Sequence, residues 1–312
     1  MRQLILFMQL LSCAFIAHAE TFILPPSDVD VIGQLTYTEA GRNDTLLDIA
    51  RRYDIGQNEI LLANPGVDRW MPTDDSKVTI PSRFIIPAAE RSGVVINLSE
   101  MRLYYFPSAD SGQQQTMITH PISVGRMDWN TPLGKTSIIR KQTNPSWTPP
   151  ESIKKEALAD GIELPDVIPG GPDNPLGRYA MRLGIPGYLI HSTNKPYGVG
   201  MRVTHGCIRM YPEDIEGLFA DIPVGTPVQL VNQPIKLGWM AGGLFVELHP
   251  PLDEDLAQYQ NYQQRVLDAV AEVLAAQPGH TELNGDRRIS LNGEALSRAV
   301  EQKNGIPVLI TR

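Results

Sequence analysis

Between residues 94 and 231 the chain is cut into β-type runs of about five residues, bounded by Pro, Gly, Asn and Asp, a punctuation that leaves little room for long helices. The runs fall at 94–98, 101–106, 118–124, 134–140, 179–183, 188–191 and 227–231. Many short strands with few helices predict a mainly β fold, with a β-sandwich or barrel-like core over 94–233. Residues 147–175 interrupt the pattern with a stretch rich in Pro, Gly and Asp and one polar helical segment at 152–160. A loop of that length in a compact domain is expected to cover a cleft.

Two further units flank this core. Residues 34–86 read as β-α-α-β: strands at 35–38 and 77–81, a helix at 45–53 capped by Asn43 or Asp44, and a second at 59–64 stopped by Pro65-Gly66. A unit of that size is too small to enclose an active site and suits binding. Residues 87–93 form a linker. The C-terminal extension, 237–312, reads as an α/β addition with a strand at 242–248 and helices at 255–276 and 293–303, and it is expected to pack on the core.

The N-terminus reads as a cleaved secretory signal over residues 1–19: Arg2, then a mostly apolar stretch over 4–16, then Ala17-His18-Ala19 before Glu20. An alternative uses Cys13 as a lipidated residue. No later apolar run approaches the roughly 20 residues that span a bilayer, so an exported, soluble mature chain is expected. Losing Arg2 with the signal moves the formal net charge from −8 to −9, which argues against nucleic acid as a partner. Cys13 and Cys207 are the two cysteines, so the mature chain holds one thiol and no internal disulfide.

That thiol lies in Thr204-His205-Gly206-Cys207-Ile208-Arg209, with His191 upstream across a turn containing Pro196, Gly198 and Gly200. A histidine within reach of a cysteine takes the thiol proton and gives a nucleophilic thiolate. Gly206 clears space beside the sulfur, and main-chain amides of the 205–207 turn are candidates for an oxyanion site. One alternative is a buried, inert Cys207; another is zinc held by His191, His205 and Cys207, with His120 or His249 as distant further ligands. The favoured reading needs no metal and no cofactor. Trp129, Trp147 and Tyr188 are read as core or loop anchors in preference to residues that stack on substrate, Arg126 and Arg178 as solvated in preference to pairing with substrate carboxylates, and Arg209 is expected to serve the site.

With His191, twelve residues, and then Thr204-His205-Gly206-Cys207-Ile208-Arg209, the segment from about 94 to 231 resembles the L,D-transpeptidase family of the YkuD type. Thr131-Pro132-Leu133-Gly134 and Gly171-Pro172-Asp173-Asn174-Pro175-Leu176-Gly177 belong to the same resemblance. It implies Cys207 as nucleophile and His191 as proton acceptor and donor. It also implies that His205, Gly206 and Arg209 shape the site and that Thr204 or Ser192 orients the imidazole. The implied substrates are peptidoglycan stem peptides. The amine that receives the acyl group is a lysine of an outer-membrane lipoprotein or a second stem; water as acceptor makes the protein a carboxypeptidase, and a non-catalytic wall-binding scaffold is the reading outside enzymes. A periplasmic thiol reductant is an implied partner.

The 34–86 unit resembles the LysM family through Asp44-Thr45-Leu46, Ile49, Ala50, Tyr53, Asn64-Pro65 and Val78-Thr79-Ile80-Pro81. Asn43 and Asp74-Asp75-Ser76 stand where that family has turn glycines. This resemblance implies binding to glycan chains containing N-acetylglucosamine.

Overall fold

The computed structural model describes residues 20–109, 113–126, 129, 131–276 and 290–311, so the expected leader over 1–19 lies outside the described residues. Nine strands form one sheet in the order Glu20–Ile23, Thr116–Pro121, Arg102–Phe106, Gly93–Asn97, Pro227–Val231, Gly134–Thr143, Tyr179–Leu183, Leu189–His191 and Ile208–Arg209. Two neighbouring pairs are parallel, Pro227–Val231 with Gly93–Asn97 and Leu189–His191 with Ile208–Arg209, and the other pairs are antiparallel. The sheet curls back on itself. Its last strand reaches Ser123, just beyond Thr116–Pro121, where Ser123 and Arg209 exchange main-chain hydrogen bonds of 2.8 and 3.0 Å. The mainly β expectation therefore resolves into a single curled sheet, with Val124–Gly125 and Arg202–Thr204 pairing in parallel beside the seam.

Side-chain alternation explains why the early strands read as continuous apolar runs. Val94, Ile96, Leu103 and Tyr105 face one core, shared with Ile215 and Leu218 of the helix Pro212–Asp221. Their neighbours Val95, Tyr104 and Phe106 face the opposite way, into a second core with Ile49, Ile60 and Val78 of the N-terminal unit. A strand buried on both faces loses the polar half of its period-two pattern.

The N-terminal unit pairs Thr36–Glu39 with Lys77–Ile80 and Val31–Gly33 with Arg83–Ile85, and carries helices Leu46–Arg52 and Gln57–Ala63. The cap of its first helix is Thr45, not Asn43 or Asp44. Thr45 Oγ1 accepts from the Asp48 amide at 3.1 Å, and Asp48 Oδ2 accepts from the Thr45 amide at 3.0 Å, a reciprocal capping box. Asp44 is instead drawn to Arg52, at 2.6 Å.

At the C-terminus Ile235–Met240, Gly243–Leu248 and Val308–Leu309 form a sheet covered by helices Tyr262–Ala275 and Gly293–Gln302. The helix expected from residue 255 starts at Tyr262, because the acidic stretch before it is held by the β core. Glu254 pairs with Arg202 at 2.8 Å and Asp255 Oδ2 accepts from Asn232 at 2.5 Å. The three units meet around the fully buried Lys236, whose ammonium contacts Glu100, Glu247 (2.7 Å) and the Ile85 carbonyl (2.7 Å). Among the described residues no helix is long and apolar enough to cross a membrane.

Candidate active site

The pairing of Leu189–His191 with Ile208–Arg209 puts Ile190 opposite Ile208 and His191 opposite Arg209. Both isoleucines point into the core. Period-two alternation therefore sends Leu189, His191, Cys207 and Arg209 to the other face, where all four line one cleft of about 250 Å³. Trp129, Thr204 and His205 form one side of it. Trp147, Pro150 and Ile153, from the long insertion, form another, so the two tryptophans expected as anchors face the cavity instead. Tyr188 packs against the core and against Gly206.

The imidazole of His191 is buried, and its Nδ1 lies 2.6 Å from the main-chain carbonyl of Ser192. A carbonyl only accepts, so Nδ1 carries the proton and the lone pair of the neutral ring resides on Nε2. Burial, reinforced by the Arg209 charge and opposed by the Ser192 and Leu176 carbonyls, pushes the His191 pKa down to about 3. The Ser192 oxygen that meets the ring is thus its carbonyl rather than its hydroxyl. Thr204 does not meet the ring through its hydroxyl, which donates to the Cys207 carbonyl at 2.6 Å and closes the 204–207 turn.

Burial pushes the Cys207 thiol up, against the pull of the Leu189 amide and Arg209, and its sulfur lies 3.6 Å from the Gly187 carbonyl. Histidine and cysteine therefore rest as a neutral imidazole and a neutral thiol. Burial likewise lowers the pKa of Arg209, whose Nε has no hydrogen-bond partner among the described residues. A guanidinium on a cleft wall with an unmet donor is suited to an incoming carboxylate.

Gly206 has φ +96°, and a Cβ there would fall 2.7 Å from the Tyr188 ring. Its carbonyl accepts from Thr131 Oγ1 at 2.8 Å, while that oxygen accepts from the Gly125 amide at 3.2 Å. Gly206→Ala is expected to cost about 1–3 kcal/mol of stability through backbone strain and to slow any reaction at Cys207, as read by thermal melting and by the rate of Cys207 modification.

His205 points to the insertion. Its Nε2 is 2.8 Å from Glu156 on the helix Glu151–Ala159, Glu156 also takes Arg126 at 2.6 Å, and the Trp129 ring stands edge-on to His205 at 5.2 Å. Arg126 is therefore paired rather than free, whereas Arg178 is exposed to solvent as expected, in a surface pair 3.2 Å from Glu216. Asn174, fully buried, ties the insertion together by donating to the carbonyls of Pro145, Ile168 and Pro169 at 2.8, 3.2 and 3.0 Å. Thr131 and Asn174 were visible in the sequence only inside the family resemblance. Glu156 carried no signal beyond its place on a polar helix.

The histidines held as distant metal ligands lie elsewhere. His120 sits with Asp54 and Asp214, and His249 with Glu100 and Glu247 beside the Lys236 ammonium.

The profile of the L,D-transpeptidase catalytic domain (YkuD) matches residues 91–230. The probable L,D-transpeptidase YcfS of Escherichia coli K12 is 41% identical over 246 residues, covering 77% of this chain and 76% of that one. The probable L,D-transpeptidases ErfK/SrfK and YbiS of the same strain are each 36% identical, over 97% and 94% of this chain and 94% and 92% of theirs. The chain belongs to the L,D-transpeptidase family. Its likeness to these family members runs through the flanking units as well as the catalytic unit, since the ErfK/SrfK and YbiS matches span nearly the whole chain.

Proposed function

We propose that this L,D-transpeptidase acts on peptidoglycan stem tetrapeptides through a Cys207 thioester. The observation that carries this reading is the presence of Cys207 and His191 on one cleft wall, the histidine neutral and protonated at Nδ1. As Cys207 Sγ attacks the carbonyl of the third stem residue, Nε2 of His191 takes the thiol proton. The C–S bond forms, the C–N bond to the terminal D-alanine breaks, and the departing nitrogen receives that proton from His191. Main-chain amides of the 205–207 turn face the developing oxyanion. Arg209 receives a carboxylate of the stem.

An amine then attacks the thioester, His191 again accepting its proton, and the thiol is regenerated. The acceptor is a stem amine or a lysine of an outer-membrane lipoprotein. The apolar surfaces of Trp129, Trp147 and Ile153 around the cleft favour an amine over water. The N-terminal unit acts as a LysM-like peptidoglycan binder, the chain works in the periplasm after removal of its leader, and a thiol reductant keeps Cys207 active.

Intact mass after incubation with a stem tetrapeptide or a carbapenem tests this reading. A covalent adduct is expected on the parent protein and none on Cys207→Ala. An adduct that persists in the variant, or a reduced parent that forms none, would overturn the mechanism.

A further inference from the structure

The segment that carries Cys207 is held from outside the catalytic unit. Between His191 and Cys207 the chain passes through Val199 and Gly200, and both carbonyls accept main-chain amides of the N-terminal unit. Gln57 N–H donates to Val199 at 3.0 Å and Asn58 N–H to Gly200 at 3.1 Å. Those amides lie in the first turn of the helix Gln57–Ala63, where a helix has no carbonyls of its own to offer. Gly56 precedes that turn and has no side chain to cap it, so the two loop carbonyls take that part.

The two backbones approach too closely for side chains. A Cβ on Gly200, φ +86°, would lie 2.2 Å from the Gln57 nitrogen, and one on Gly56 would lie 3.0 Å from the Gly200 Cα. Val199 itself is completely buried.

Beyond the cysteine motif the chain returns to the same few residues. Tyr211 donates its hydroxyl to the Ile55 carbonyl at 3.3 Å, and Glu213 takes two Arg51 nitrogens at 2.6 and 2.9 Å. Asp214 and Asp54 both face His120, at 3.6 and 3.0 Å from its Nδ1, in a fully buried cluster. Residues 51–58 therefore tie down the chain at 199–200 and again at 211–214, on either side of the 204–209 motif.

We infer that the Gln57 and Asn58 main-chain amides are positioning groups for acyl transfer, holding the Cys207-bearing segment in register with His191, so that the N-terminal unit is a working part of the catalytic site. This rests on the thioester mechanism proposed above. A misplacement of about 1 Å in a reacting group is enough to cost about 100-fold in rate.

Gln57→Pro in the full-length chain tests it. Position 57 opens its helix, where proline's fixed φ and missing N–H are tolerated, and Gly56, at φ −75° and ψ 156°, already has the backbone that a residue before proline needs. The substitution removes the bond to Val199 and places the ring against that carbonyl. Gln57→Ala keeps the amide and controls for loss of the side chain.

In transfer from a stem tetrapeptide to an amine, kcat is expected to fall about 10- to 100-fold in Gln57→Pro with KM within about twofold, and to change less than about twofold in Gln57→Ala. Amide hydrogen exchange over 199–209 is expected to accelerate in the proline variant alone. A folded Gln57→Pro whose kcat and exchange match Gln57→Ala would overturn the inference. Should the proline variant not fold, Gly56→Ala loads the same contact, its Cβ falling 3.0 Å from the Gly200 Cα: kcat lowered about threefold at constant KM with faster exchange over 199–209 supports positioning, and a folded Gly56→Ala unchanged in both overturns it. Failure of the thioester mechanism itself shows separately, as the absence of any Cys207 adduct on the parent, while the exchange comparison still reads the positioning.

Discussion

Replacing His191 with glutamine is expected to slow acylation of Cys207 by about 10²- to 10⁴-fold, the range general-base assistance commands. The pH dependence separates this role from a structural one. With its pKa held at about 3, His191 is a neutral base throughout the physiological range. The parent should therefore show no acidic limb from this residue between about pH 5 and 7 in kcat/KM for adduct formation. In His191→Gln the thiol has no base, and burial holds its pKa above the ordinary value. The residual rate should then depend on the thiolate fraction and climb roughly tenfold per pH unit across the same range. Adduct formation followed by mass at several pH values measures both slopes. A parent that loses activity as pH falls from 7 to 5, or a variant with a flat profile, would contradict the neutral-pair ground state.

Lys236→Met is expected to destabilise the folded chain by about 3–5 kcal/mol, because it strands Glu100 and Glu247 in the interior without their cation. In the parent, burial works against the charge on Glu247, but Lys236 and His249 outweigh it and hold its pKa at about 2. A depressed carboxylate contributes stability that is present above its ordinary pKa of 4.5 and lost as pH falls toward 2. In the variant the two carboxylates lose their cation, and protonation relieves them. The stability gap between parent and variant should therefore be widest near neutral pH and narrow as pH falls below about 5. Chemical or thermal unfolding at two pH values checks this. A gap of less than about 1 kcal/mol at neutral pH would show that the three-unit junction does not depend on the buried cation.

The junction also shows where sequence reading stops. Glu100, Lys236, Glu247 and His249 are spread over some 150 positions and follow no spacing rule; folding gathers them, and only burial makes their charges matter. The strand Ile235–Met240 escaped notice for a local reason. Its hairpin turns on Ala241 and Gly242, both at positive φ, and Ala is a poor advertisement for a turn that usually carries Asn or Asp. The strands Gly93–Asn97 and Arg102–Phe106, by contrast, were readable to within a residue, because Val, Ile and Tyr runs bounded by turn residues need no tertiary information.

For the active site the division is similar. Gly206 and Cys207, with His191 upstream, pointed to one site, and folding sets Cys207 and His191 on the same cleft wall. Which oxygen orients the imidazole was not legible: Ser192 supplies a carbonyl, available at every residue and invisible to side-chain pattern. Glu156 reaches His205 only because the insertion folds over the cleft.

By itself the sequence determined the mainly β class and the family to which the chain belongs, because strand period, turn residues and motif spacing are local properties. Tertiary structure alone decided that His191 rests neutral, that Trp129 and Trp147 face the cleft, and that residues 51–58 clasp the cysteine segment from the neighbouring unit. Those outcomes depend on burial, field and close backbone approach, which arise only when distant segments share one interior.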